Sequence, residues 1–206
     1  MCGGPLRTSD HRYSEAISRS WQELSDRDLR ELSEQSGGSI NEKRILLRML
    51  NDTLIVDFET RGISSSDGRA VDDDIQVLLL HYLMRAEGKI DGTWCSYRDI
   101  EGGNLYYSVF QGRALRPLVR EFGENPERLI RAGTLLGGIE TRRGDASVDL
   151  QYFPYALVNV TIWKGDEEVP SSANILFDVA MSRIFGAEDL AHLSADLVEK
   201  LIAASR

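Results

Sequence analysis

The sequence predicts an α+β fold. One domain is expected, with a small, mostly antiparallel sheet packed by several helices and a helical element at the N-terminus. Three observations carry this reading. Apolar residues recur at helical spacing over 10–24, 75–88 and 177–206. β-prone runs bounded by turn residues occupy 43–60 and 148–165. The helical and β-prone segments are grouped rather than strictly alternating, which argues against a doubly wound parallel sheet.

The elements follow in order. Residues 1–9, with Cys2 in a Gly-Gly-Pro context, read as a flexible tail, and 10–206 as the domain. Over 10–24, Tyr13, Ile17, Trp21 and Leu24 fall on one helical face. Ser25 is the expected cap of a second helix, 26–36, which Gly37 or Gly38 should end. "KRILLRML" and "TLIVDFET" predict a hairpin turning at Asn51-Asp52, followed by a polar loop over 61–71.

Asp72, Asp73 and Asp74 suit the N-terminus of the next helix, where the backbone dipole favours negative charge. That helix is apolar on nearly every face, so it should be central, with Leu78, Leu79 and Tyr82 buried. A turn-rich stretch leads to a helix from about Asn104 to Phe122, kinked or split at Pro117. Asn125-Pro126 opens another helix, and 137–147 reads as a loop. One or two strands interrupted at Pro154 follow, and the chain is expected to be helical from Phe177 onward.

Composition narrows the function. The chain has 206 residues, enough to bury roughly 70% of its unfolded surface without disulfides or metal. Its net charge of −9 disfavours non-specific nucleic-acid binding. No apolar run approaches the roughly 20 residues that cross a bilayer, and the first residues lack a secretory apolar core, so a cytoplasmic location without membrane contact is expected. Two cysteines, Cys2 and Cys95, are too few for a four-thiolate cluster.

His11, His81 and His192 form no spaced metal motif. His81 stands out because its helix should be buried, and a buried imidazole needs a hydrogen-bond partner, a proton-transfer role or a metal. Gly102 and Gly103 precede a helix whose free backbone N–H groups could hold an anion, although turn geometry alone would account for them. Asp166, Glu167 and Glu168, with Asp145 or Asp178, offer the oxygens that a hard divalent cation takes. Adjacent residues of an extended chain point to opposite sides, so one turn cannot aim all three acids inward.

Several motifs, in their order and spacing, resemble the domain of unknown function 3786 family. They are Leu-His-Tyr-Leu at 80–83, Gly-x-Trp at 92–94, Glu-Gly-Gly at 101–103, Trp-x-Gly-Asp-Glu-Glu at 163–168 and Leu-Phe-Asp at 176–178. The resemblance covers nearly the whole chain after about residue 10. It implies the setting of anaerobic bacteria and archaea and the company of corrinoid, tetrapyrrole or iron–sulfur metabolism. Some members carry a cysteine-rich segment that this chain lacks, and Cys95 stands where the family usually has an apolar residue.

The expected function is therefore a binding or accessory protein for a metal-containing cofactor, a corrinoid or another tetrapyrrole, acting with a cofactor-dependent protein partner. His81, Trp94, Gly102, Gly103 and Trp163 form the expected cofactor-binding group. Asp166, Glu167, Glu168 and Asp178 form the expected metal group. A metal-dependent enzyme using the acidic turn is the rival, and an interaction module is a third reading.

Overall fold

The computed structural model describes residues 8–206, and the side chains from Tyr13 onward. Cys2, the first seven residues of the expected tail and the side chain of His11 lie outside the described residues. The α+β expectation holds, with a helical N-terminus. The strands form two antiparallel sheets, however, in place of one small one.

Helix α1 (Thr8–Leu24) is followed by α2 (Leu29–Ser36). Asp28, not Ser25, caps α2: its carboxylate accepts from the Arg30 and Glu31 backbone N–H groups at 2.8 and 3.1 Å. A carboxylate there satisfies two donors at once and favours the positive helix end. The Ser25 hydroxyl instead donates back to the Gln22 carbonyl. Gly37 ends α2 with φ of 70°, a conformation that glycine adopts without strain.

The first sheet is a meander of β1 (Ser39–Asn41), β2 (Arg44–Met49), β3 (Asp52–Asp57) and β4 (Gly62–Ser65). Met49 pairs with Asp52, so the hairpin turns at Leu50-Asn51, one residue earlier than expected. Leu50 takes a φ of 53° and is buried, and its N–H donates to the Tyr152 carbonyl in the second sheet. Burial and a cross-sheet hydrogen bond thus override the Asn-Asp turn preference. The expected loop over 61–71 contains β4, which pairs with β3 from Leu54↔Ser65 to Asp57↔Gly62.

Helix α3 (Asp73–Arg85) is the central one, with Leu78, Leu79 and Tyr82 at most 1% exposed. Tyr82 stacks on Phe153 at 4.7 Å, and its hydroxyl donates to the Ser36 carbonyl and accepts from the Tyr155 N–H. Those bonds fasten α3 to α2 and to the β7–β8 turn.

The second sheet has the order β5-β9-β8-β7-β6. Its strands are β5 (Trp94–Ser96), β6 (Ile139–Glu140), β7 (Ala146–Phe153), β8 (Ala156–Trp163) and β9 (Ser172–Asp178). β5 and β6 lie in stretches read as turns and loop, and β9 corrects the expectation of helix at Phe177-Asp178. Alternate residues Val158, Val160 and Ile162 of β8 are fully buried on one face. Between the β5 and β6 stretches, α4 (Gly103–Phe110), a π turn over Gln111–Leu115, α5 (Arg116–Phe122) and α6 (Glu127–Leu135) follow one another. The Arg116 N–H donates to the Gln111 carbonyl, five residues back. Pro117 has no N–H and crowds the preceding turn, so the wide turn accommodates it without ending the helix. The short α7 (Met181–Ile184) leads to α8 (Ala187–Ala204), whose Leu190, Leu193, Leu197 and Leu201 enter the core.

Candidate functional site

Two adjoining cavities open where α1, α3, α4 and α8 converge. One, of about 320 Å³, is bounded by Tyr106, Val109 and Arg113 on the α4–π segment and by Glu188, Ala191 and His192 on α8. The other, of about 230 Å³, lies between α3 and α8 and contains Asp74, His81, Asp189 and His192. Tyr13, Glu188 and His192 line both, so the two are lobes of one groove.

Helical spacing builds the α3–α8 lobe. Asp74 and His81 are seven residues apart, close to two turns, so they share a face of α3. Asp189 and His192 are three apart, one turn of α8. Each helix therefore contributes one acid and one imidazole. His81 Nδ1 lies 3.0 and 3.1 Å from the two Asp189 oxygens. His192 Nδ1 lies 4.0 Å from an Asp74 oxygen. The imidazoles are each 21% exposed, which shields them without closing them off.

Asp189 is held from behind. Its Oδ2 also accepts from the Gly186 N–H at 3.2 Å, as part of the α8 capping arrangement. The Tyr97 hydroxyl donates to the Ala187 carbonyl at 2.6 Å, which anchors the same turn. Burial pushes the Tyr97 hydroxyl up to about 12, so it remains a donor across the ordinary pH range. With Nδ1–H given to a carboxylate, the neutral His81 ring keeps Nε2 as its lone-pair nitrogen. That arrangement suits a proton acceptor or a metal ligand.

The remaining expected site residues lie elsewhere. Asp178 is fully buried at the end of β9 and accepts from the Asp91, Gly92 and Ala180 N–H groups at 2.9, 2.7 and 3.0 Å. Its carboxylate therefore holds the 91–92 loop. Asp166 is exposed and closes its own turn by accepting from the Glu168 and Val169 N–H groups. Those two bonds hold its carboxyl below the usual range, the Val169 donor having the larger effect. Glu167 and Glu168 are exposed. β9 separates this turn from Asp178, since Ser172 begins the strand and Asp178 ends it. The expected metal group is thus not brought together. Among the described residues, no group of three or more His, Cys, Asp or Glu side chains could hold a metal ion.

Trp94 pairs with Asp178 and Trp163 with Ser172, so the two indoles stand at opposite ends of β9. The Arg143 guanidinium covers the Trp94 ring at 5.2 Å. Gly102 takes a φ of 77°, and a Cβ on Gly103 would lie 2.0 Å from the Tyr97 carbonyl oxygen. Backbone geometry therefore accounts for the glycine pair. Of the expected cofactor group, only His81 lines the groove. Asp74, Glu188, Asp189, His192 and Arg113 were missed as site residues. The available signal was the helical spacing of acids and histidines on two otherwise apolar helices.

No helix among the described residues is long and apolar enough to cross a membrane. Neither the curated proteins nor the solved structures provide a match to this chain. The chain belongs to the family described as "Domain of unknown function (DUF3786)", whose model matches residues 28–200.

Proposed function

We propose that this family member is a cytosolic binding or accessory protein for a cofactor that carries its own metal, and that His81 is the protein's ligand to that metal. The carboxylate-held imidazole supports this reading. A bare ion needs several protein donors, which the described residues do not assemble. A metal already held in an organic ring needs only one, and a histidine braced by an acid is the form that such a ligand takes. The cofactor would supply the metal chemistry, and the chain would supply His81, oriented by Asp189. At about 230 Å³ the lobe is smaller than the roughly 300–1,000 Å³ of most organic-ligand pockets, so it would enclose only part of a corrinoid or other tetrapyrrole. An accessory role also implies a protein partner that exchanges the cofactor.

A second reading, proton transfer, draws on the neighbouring His192 and Asp74, because two imidazoles in one groove can divide acid and base roles. Titration with hydroxocobinamide under anaerobic conditions separates the two. Under the ligand reading its visible bands shift on binding, and His81→Ala abolishes the shift while the circular dichroism is kept. Absence of a shift with both hydroxocobinamide and hemin, or an identical shift in the variant, overturns it.

A further inference from the structure

Arg113 and Glu188 face the same 320 Å³ lobe from opposite walls, one on the π turn and one in the first turn of α8. Neither side chain makes a hydrogen bond or ion pair with any described residue, including each other. The nearby carboxylate of Asp189 is engaged by His81, and Asp74 lies beside His192. The lobe therefore offers one uncommitted cation and one uncommitted anion, with Val109 and Ala191 between them. Tyr106 and Val109 belong to the outward side of α4 and remain 39% and 38% exposed.

We propose that this lobe binds a small zwitterion with an apolar substituent, of the chemical class of an α-amino acid. Its carboxylate pairs with the Arg113 guanidinium, whose planar fork matches two carboxylate oxygens. Its ammonium pairs with Glu188, and its side chain lies over Val109, Ala191 and the Tyr106 ring. An ordinary anion would meet Glu188 and be repelled, and a simple amine would meet Arg113. A molecule carrying both charges satisfies both walls. Removal of either wall charge leaves one ligand charge unpaired, which is the costly case.

The test titrates the full-length protein by calorimetry and thermal shift with L-leucine, L-phenylalanine and L-methionine. L-Phenylalanine methyl ester and N-acetyl-L-phenylalanine serve as matched controls. At least one of the three amino acids is expected to bind and raise Tm. Arg113→Gln and Glu188→Gln are each expected to weaken that binding about tenfold or more. The ester should bind unmodified protein about as poorly as the zwitterion binds Arg113→Gln, and the N-acetyl compound should match Glu188→Gln. The controls use unmodified protein, so a folding defect in either variant does not obscure the result. No binding of any of the three amino acids at millimolar concentration overturns the proposal, as does equal binding of the ester and the free acid. His81→Ala is expected to leave amino-acid binding within about twofold, so this outcome is independent of the cofactor reading.

Discussion

His81 on α3 and Asp189 on α8 meet across 108 positions of sequence, with Nδ1 at 3.0 and 3.1 Å from the two carboxylate oxygens. This contact fixes the ring orientation, and it predicts the tautomer. Nitrogen-15 NMR of the neutral ring should show the proton on Nδ1 and a bare Nε2. Asp189→Ala should leave a mixture of the two forms. A proton on Nε2 in the unmodified protein would refute the arrangement.

Leu79 is fully buried in the central helix. Leu79→Ala should cost about 2–5 kcal/mol in urea unfolding, from lost transfer energy and the cavity left behind. A loss below about 0.5 kcal/mol is the behaviour of a surface residue and would contradict its central place.

Asp178 links β9 to the loop before β5 through three backbone donors. Asp178→Ala should cost about 2–4 kcal/mol and raise hydrogen exchange at Asp91 and Gly92, because hydrogen bonds to a charged acceptor are strong and the Ala180 donor is buried. Asp178→Asn keeps one oxygen and should cost less. Equal losses would mean that only the side-chain volume matters.

Asp57 gives a pH signature. The Thr60 N–H, and then Arg44, hold its carboxyl down to about 2 from its ordinary 3.8. A carboxyl with a lowered folded value stabilises the fold fully above the unfolded value, and that stability is lost as pH falls through the folded one. The stability gap between the unmodified protein and Asp57→Asn should therefore be constant from pH 7 to about 5. It should narrow between about pH 4 and pH 2. A gap that widens on acidification would reverse the sign of the argument.

Cys95 should be an unreactive thiol. Burial, followed by the Asp99 and Asp178 carboxylates, pushes its thiol up and leaves little thiolate near neutral pH. In a Cys2→Ser background, iodoacetamide at pH 7.5 should alkylate it more than about tenfold slower than free cysteine. Alkylation at the free-thiol rate would indicate an open, electropositive setting.

The α1 and α3 helices, the β2–β3 hairpin and the β7–β8 pair were legible because their patterns are local. α3 is apolar all round, and β8 alternates Val158, Val160 and Ile162. β4, β5 and β6 have at most four residues each, too few to display a period of two, and they exist because a longer neighbour pairs with them. The site was half legible for the same reason. His81 was conspicuous as a polar residue in an apolar helix, but its partner lies on α8, and no local pattern joins the two. Asp178 misled in the opposite direction. An acid closing an apolar run suggests a ligand, whereas its partners are backbone groups of a distant loop.

The π turn at Gln111–Leu115 sets how this region can change length through descent. Its extra residue is spent in the one wide coil between α4 and α5, and Gly112 there has no atom within 4 Å of where a Cβ would stand. Losing that residue would restore an ordinary α-helix, yet it would swing everything after it by about 100°. Leu118 and Phe122, both wholly buried, would rotate off the core, and Arg113 would leave the groove. Insertions and deletions in related chains should therefore fall in the exposed loop at 66–70 or the acidic turn at 166–169, and the span from Gly103 to Phe122 should keep its length.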